Sequence, residues 1–191
     1  AENFLKWFSK LPYKYKIFIP GNHDFCFDEK WEASTPQGLL RFHSHVQECK
    51  TDVNSLMKSY PNIIYLNDTS IIIEGIKIHG SPITPWFHDW AFNRETNQKI
   101  QRHWDLIEND VDILITHGPS YGTLDRTVAG NYVGCKRLGM EIANRIKPKY
   151  HIFGHIHEDY GQKKVGNTIF INASTLNENY EIFNKPIIFE L

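Results

Sequence analysis

Short apolar runs alternate with polar, glycine-containing turns along the whole chain. Apolar residues at helical spacing predict the end of an amphipathic helix over residues 2–11, and Pro12 closes it. Segments in which apolar residues are interspersed among polar ones predict further helices around 94–107 and 136–146 and, in part, over 37–60. Runs rich in β-branched and aromatic residues predict strands at 15–20, 63–66, 71–73, 76–79, 112–116, 150–153, 168–172 and 186–191.

Small polar interruptions separate three consecutive strands in the middle of this pattern. Asn67-Asp68 and Glu74-Gly75 are typical of tight turns, and both predict hairpins. No internal repeat, low-complexity tract or linker interrupts the alternation of strands and helices. The sequence therefore predicts one mixed domain over residues 1–191.

Three predicted strands stop at a glycine turn that carries histidine. The turns are Gly21-Asn22-His23-Asp24, His117-Gly118 and Gly154-His155-Ile156-His157. Strand ends followed by tight loops hold ligand sites in sheets flanked by helices, and glycine permits close backbone approach there. Imidazole is the commonest metal ligand in proteins, and asparagine supplies a carbonyl oxygen. Together the three turns predict a metal site.

Each histidine alone has a simpler interpretation. His43, His45, His103 and His151 are predicted to be ordinary hydrogen-bonded side chains, because a lone histidine near a strand is rarely a ligand. The His-x-His pattern alone favours a metal ligand and an ordinary side chain equally. The prediction of a metal site therefore depends on all three turns occurring together.

Composition excludes several classes of function. The 191 residues carry a net charge of −1, which gives no basic surface for nucleic acid. No apolar run reaches the length of about 20 residues that a membrane helix needs, so no membrane association is predicted. The cysteines, Cys26, Cys49 and Cys135, are far apart in sequence, and this spacing predicts reduced thiols in a cytoplasmic protein.

The three turns resemble, in their order and spacing, the signature of calcineurin-like metallophosphoesterases. The wider sequence is similar to the metallophosphoesterase-domain-containing branch, which is related to class III cyclic nucleotide phosphodiesterases. The segments that carry this further likeness are residues 11–13, 82–87, 112–119, 171–174 and 186–189. The resemblance implies a calcineurin-like fold of the mixed α/β (α+β) type, a β-sandwich flanked by helices.

The resemblance also assigns roles. It implies that Asn22, His117 and His155 ligate one of two divalent metal ions, Mn²⁺ or else Fe, Zn or Mg, and that His157 ligates the other. His23 would face the substrate phosphate and assist the leaving group, with Asp24 orienting it. The implied reaction is phosphodiester hydrolysis, with cyclic nucleotides or other small phosphodiesters as substrates, by an activated hydroxide held between two metals.

The family pattern also contains an upstream Asp-x-His and a Gly-Asp, which this chain lacks. The 20 residues before Gly21 contain neither aspartate nor histidine. Neutral ligands alone leave two divalent cations without carboxylate charge. We therefore expect an N-terminally truncated domain that lacks its first strand and is inactive alone.

Two questions stay open at the level of sequence. Trp86 and Phe87 lie in an aromatic loop that either binds substrate, by stacking on a base, or packs over the core. The calcineurin-like fold also occurs in a non-catalytic scaffold that binds proteins, and a single structural metal site is a third option. The four histidines of the turns favour an enzyme.

Overall fold

The computed structural model describes residues 2–34 and 52–191, and five segments of these residues are α-helices. Among these residues the α-helices are α1 (Glu2–Ser9), α2 (Glu29–Ser34), α3 (Val53–Lys58), α4 (Gln98–Trp104) and α5 (Lys136–Glu141), the last continuing into a π-helical turn, Ile142–Ile146. Short 3₁₀ helices span Phe25–Phe27 and His157–Asp159. The predicted helices at 2–11, 94–107 and 136–146 are confirmed. Of the prediction over 37–60, only α3 falls within the described residues.

Ten strands fall within the described part of the chain. They are β1 (Ile17–Phe18), β2 (Ile64–Tyr65), β3 (Thr69–Ile73), β4 (Ile76–Ser81), β5 (Thr84–Pro85), β6 (Asn93–Arg94), β7 (Ile113–Thr116), β8 (Tyr150–Phe153), β9 (Gly161–Val165) and β10 (Thr168–Asn172). Six of them form a central sheet in the order β3-β4-β7-β8-β10-β9, while β1 pairs with β2 and β5 with β6. The inner strands β4, β7, β8 and β10 run parallel, and the edge strands β3 and β9 are antiparallel.

Both faces of the central sheet are apolar, because its inner strands are almost continuously hydrophobic. In β7, Leu114 joins the larger core cluster with Trp104 and Leu138 of the helices. Its neighbour Ile113 joins a second cluster, against which side chains of β1, β2 and the C-terminal segment also pack. A mixed α/β domain with helices flanking a central sheet is therefore confirmed.

The predicted hairpin at Glu74-Gly75 is confirmed, since β3 and β4 pair across it. The predicted hairpin at Asn67-Asp68 is wrong, because β2 pairs in parallel with β1 instead of with β3. The backbone N–H of Ile64 donates to the Lys16 carbonyl at 2.7 Å. Residues 67 and 68 therefore form a crossover between two sheets.

Near the end of the chain, one predicted strand is wrong and one strand was not predicted. Residues 186–191 form no strand. Ile187 and Phe189 pack against the second core cluster, and the Tyr150 hydroxyl donates to the backbone carbonyl of Glu190 at 2.6 Å. Strand β9 was not predicted from sequence. Its Gly-Gln-Lys-Lys-Val sequence is mostly exposed, as suits an edge strand protected by lysine.

The cysteines differ from the sequence-based expectation. Cys135 is buried and free, but Cys26 takes part in a disulfide bond, so the prediction of reduced thiols is wrong for Cys26. Within residues 2–34 and 52–191, no helix is long and apolar enough to cross a membrane.

Candidate active site

The second and third histidine turns meet at the carboxyl ends of two adjacent parallel strands. His117 directly follows β7, and His155 lies two residues after β8. The Gly154 N–H donates to the His117 carbonyl at 3.0 Å, which ties the two turns together. The rings of His117 and His155 lie 4.7 Å apart between centroids. Strand pairing therefore determines this part of the site.

The first histidine turn reaches the same place because two glycines allow close packing. A Cβ at Gly80 in β4 would lie 2.5 Å from Cβ of Leu66 and 2.8 Å from Cγ2 of Ile19, so the β1–β2 pair approaches the backbone of β4 closely. A Cβ at Gly21 would lie 2.5 Å from Cε1 of His117. Glycine at both positions lets the first turn lie directly against the second.

Asn22 and His117 bring two donor atoms together. Asn22 is buried, with 3% of its surface exposed, and its Oδ1 lies 2.8 Å from Nε2 of His117. Two atoms each about 2.1 Å from one cation and at right angles to it are separated by about 3 Å. In this structure the pair forms a hydrogen bond in which Asn22 Oδ1 accepts, and the spacing is also that of two neighbouring ligands of one metal ion.

His155 and His157 complete the histidine cluster. His155 has a φ of +71°, a left-handed conformation that turns the chain sharply after β8. His157 is held by its Nδ1, which lies 3.2 Å from the Asn177 carbonyl oxygen, and by the Tyr180 ring, whose centroid is 5.1 Å away. Both histidines line the same cavity as His117.

Burial keeps two of these imidazoles neutral. Burial lowers the pKa of His117 well below its usual range, and the neighbouring histidines lower it further. Burial, reinforced by His157 and His23, lowers the pKa of His155 to about 4. A neutral imidazole has a lone pair available for a metal, so at neutral pH both side chains are in the form that binds cations.

His23 and Asp24 differ in exposure and contacts. His23 is exposed, and its ring centroid lies 4.5 Å from that of Trp90. Oδ2 of Asp24 accepts a hydrogen bond from the Gly21 N–H at 2.7 Å, so this carboxylate fixes the turn that carries His23. Burial raises the pKa of Asp24, and the Gly21 N–H and His23 partly offset that effect.

The donor set fits the neutral part of a metal centre. Asn22, His117 and His155 offer an amide oxygen and imidazole nitrogens, which divalent transition metals accept. Within the described ranges, no group of three or more His, Cys, Asp or Glu side chains is arranged to hold a metal ion. The carboxylates that would balance the charge of two cations are thus not part of this cluster.

A cavity of about 530 Å³ opens beside the histidines. Its lining includes Trp86 and Phe87, which are 57% and 54% exposed, and also Trp90, which packs against the larger core cluster. A hydrogen bond from the Trp86 N–H to the Arg94 carbonyl, 2.8 Å, anchors this loop to β6. Substrate binding by the two rings stays a prediction.

Asn172, at the end of β10, is a positioning residue that sequence reasoning missed. It is fully buried; its Nδ2 donates to the carbonyls of Ile156 at 2.7 Å and Leu124 at 3.2 Å, and its Oδ1 accepts from the Ser174 N–H. A polar residue closing an apolar strand was the available signal. Asn172 holds the turn that carries His155 and His157.

The loop over residues 119–135 is held beside the cavity by hydrogen bonds to two aspartates. Asp125 is fully buried and accepts hydrogen bonds from the N–H groups of Gly122 and Gly134, which closes the loop on itself. Two residues after His157, Asp159 accepts a hydrogen bond from the Arg126 N–H at 2.8 Å. The loop that borders the cavity is therefore tied to the 3₁₀ helix His157–Asp159.

His151 supports the second turn from within the sheet, as predicted for an ordinary buried histidine. Its Nε2 lies 2.8 Å from Oγ1 of Thr116, whose hydroxyl donates to the Gly118 carbonyl at 2.6 Å. The Thr116 hydroxyl uses its proton on that carbonyl, so Nε2 is the protonated nitrogen of His151. His103 likewise has an ordinary partner in Asp68, while His43 and His45 lie outside the described residues.

Acid is expected to destabilise the protein through His151. Burial lowers the pKa of His151 to about 3, against about 6.5 in an unfolded chain. The unfolded state therefore binds the extra proton between these values, and stability should fall by about 1.4 kcal/mol per pH unit as pH drops through this window. Urea unfolding at pH 7, 6, 5 and 4.5 measures the slope.

The variant His151→Gln keeps a donor for Thr116 but does not titrate. In this variant the free energy of unfolding should depend less on pH, by the contribution of one histidine. His88→Gln, at an exposed loop position, should leave the pH dependence unchanged. Equal slopes for wild type and His151→Gln would contradict the prediction.

Comparison with known proteins gives three findings. A family profile described as calcineurin-like phosphoesterase matches residues 1–159. The chain is 39% identical to "Metallophosphoesterase domain-containing protein 1" of Homo sapiens, and equally to that of Mus musculus, over 100% of its own length and 59% of theirs. One solved crystal structure matches 91% of this chain and 62% of its own, with a TM-score of 0.60 at 20% identity, a likeness of fold alone. The chain spans less than two thirds of the length of these relatives.

Proposed function

The chain belongs to the calcineurin-like phosphoesterase family, and from that premise we propose that it contributes the neutral ligands and the substrate cavity of a metal-dependent phosphodiesterase. The family supports a hydrolase of phosphoesters that uses two divalent metals. The observation that best supports the proposal is the 2.8 Å spacing of Asn22 Oδ1 and His117 Nε2 beside His155.

The proposed ligands are Asn22, His117 and His155 for one ion and His157 for the other. When bound, the two ions supply positive charge for the phosphoryl oxygens and lower the pKa of an attacking water. Burial of the rings of His117 and His155 lowers the pKa of both side chains, which keeps these imidazoles neutral. The hydrogen bond from the Gly21 N–H to Asp24 keeps the backbone of the first turn in place.

His23 is proposed to protonate the leaving-group oxygen. It is exposed at the cavity and packs against Trp90, so a substrate can reach an imidazole nitrogen without rearrangement of the core. Asp24 acts on His23 through the turn that both share, which its hydrogen bond from the Gly21 N–H holds in place. A general acid of this kind contributes about 10²–10⁴-fold to the rate.

The remaining charge is proposed to come from carboxylates outside the described residues. Asn22, His117, His155 and His157 are all neutral, and two divalent cations need negative ligands for tight binding. The Asp-x-His and Gly-Asp motifs expected from the resemblance would supply them. The 191-residue chain alone is therefore expected to be inactive.

A metal-dependence assay tests the proposed function. The full-length protein is stripped with chelator, reloaded with Mn²⁺, Mg²⁺, Zn²⁺ or Fe²⁺, and assayed on bis-p-nitrophenyl phosphate and 2′,3′-cyclic AMP. We expect turnover that disappears with chelator and returns with metal, because the proposed mechanism requires the ions. The cyclic nucleotide is included because its base can stack on Trp86 and Phe87.

The monoester p-nitrophenyl phosphate, assayed in parallel, separates diesterase from monoesterase activity. The 191-residue chain, assayed beside the full-length protein, tests the expected need for further carboxylates. Absence of turnover with every metal would reject the enzyme and favour the scaffold.

A further inference from the structure

The cavity wall beyond the histidines combines aromatic and acidic side chains. The aromatic ones are Trp86, Phe87, Trp90 and Tyr180, and the acidic ones are Glu158 and Glu178. Among the described residues that line the cavity, none is lysine or arginine. A cavity proposed to bind phosphodiesters thus has no protein cation for a second anionic group.

The aromatic side chains are exposed and held in place. Trp86 and Phe87 are anchored by hydrogen bonds from their N–H groups, to the Arg94 carbonyl at 2.8 Å and to Oδ1 of Asn93 at 2.5 Å. Tyr180 is 70% exposed and packs edge-on against His157. These ring surfaces need no rearrangement to receive a ligand group.

Arg94, in the strand next to this loop, is paired with groups outside the cavity wall. One Nη of Arg94 donates to the Asn93 carbonyl at 2.8 Å and lies 3.5 Å from the buried carboxylate of Asp28. Arg94 therefore does not neutralise the two glutamates at the cavity. The side chains of this wall therefore carry negative charge and no lysine or arginine, which favours positively charged ligand groups there.

Three kinds of substituent on a phosphodiester would meet this wall differently. An anionic group would face two carboxylates and gain nothing from the negative faces of the rings. A neutral group would gain contact with the rings only. A compact cation gains from both, because aromatic faces and carboxylates each attract positive charge.

We propose that the cavity selects phosphodiesters whose second substituent ends in a compact cation of the alkylammonium type. This inference rests on the proposed function, because the histidine cluster has to hold the phosphate. It identifies Trp86, Phe87, Tyr180, Glu158 and Glu178 as residues that determine specificity.

A matched pair of substrates isolates the charge. Full-length protein with its preferred metal is assayed on p-nitrophenyl phosphocholine and on p-nitrophenyl 3,3-dimethylbutyl phosphate, in which carbon replaces the charged nitrogen. We expect kcat/KM to be about tenfold higher for the cation, mainly through KM, because the contact is made in ground and transition states alike. Glu178→Gln should reduce this ratio, while Glu2→Gln, outside the cavity, should leave it unchanged.

The possible outcomes separate the inference from the proposed function. Equal kcat/KM for the two substrates, or a clear preference for 2′,3′-cyclic AMP, would overturn the inference and leave the phosphodiesterase intact. Absence of turnover of every diester would reject the proposed function. In that case, quenching of tryptophan fluorescence by phosphocholine but not by 3,3-dimethylbutyl phosphate would still support the cation site, and equal quenching would overturn it.

Discussion

Replacing Gly21 by alanine is expected to lower the proposed metal-dependent phosphodiesterase activity of the full-length protein by about 10²-fold, because displacing a catalytic group by about 1 Å costs that much. The new Cβ would lie 2.5 Å from Cε1 and 2.7 Å from Nδ1 of His117. The His117 imidazole is half-buried and contacts Asn22 and His155, so a shift of this ring disturbs the proposed ligands. Steady-state kinetics with saturating metal measures the loss.

Two variants bracket this result. His117→Ala removes the imidazole and sets the lower limit of activity. Gly139→Ala makes the same chemical change in α5, where the nearest atoms to a Cβ lie 3.7 Å away, and should keep wild-type kinetics. Wild-type activity in Gly21→Ala would show that the packing of His117 against the first turn is not required.

Replacing Asn172 by leucine is expected to lower the free energy of unfolding by about 3–4 kcal/mol, because it removes three hydrogen bonds of a fully buried side chain. The carbonyls of Ile156 and Leu124 lose a donor, and the Ser174 N–H loses an acceptor. Leucine has a similar volume, so the loss reports hydrogen bonding rather than a cavity. Urea denaturation at pH 7 measures it.

The matched control is Asn54→Leu, the same replacement at an exposed position of α3. It should change the free energy of unfolding by no more than about 0.5 kcal/mol. If both variants were equally stable, Asn172 would not be what holds the turn that carries His155 and His157.

Local sequence pattern was sufficient for the strands that carry the histidines. The inner strands of a mostly parallel sheet are largely apolar on both faces, so β7 and β8 stand out as short, mostly apolar runs, and a glycine follows within two residues of each. The adjacency of His117 and His155 followed from that. The pairing of β1 with β2 could not be predicted in this way, because Ile64 and Tyr65 have the same local pattern whether they pair with β1 or with β3.

The positioning groups were not accessible to pattern reasoning. Asn172 and Asp125 are buried because specific carbonyls and N–H groups, 16 and more residues away in the case of Asn172, satisfy them. No periodicity encodes such pairings. Strand β9 was missed for the opposite reason: its side chains face water, and only the hydrogen-bonding edge of β10 makes it a strand.

The neutrality of the donor set also affects the order in which the protein is assembled. A cluster of carboxylates repels itself until a cation arrives, so such a site resists collapse of the chain in the absence of the ion. Asn22, His117 and His155 have no such repulsion at neutral pH, since burial keeps both imidazoles uncharged. This half of the site can therefore form during folding, and the ion can be loaded as the last step of maturation.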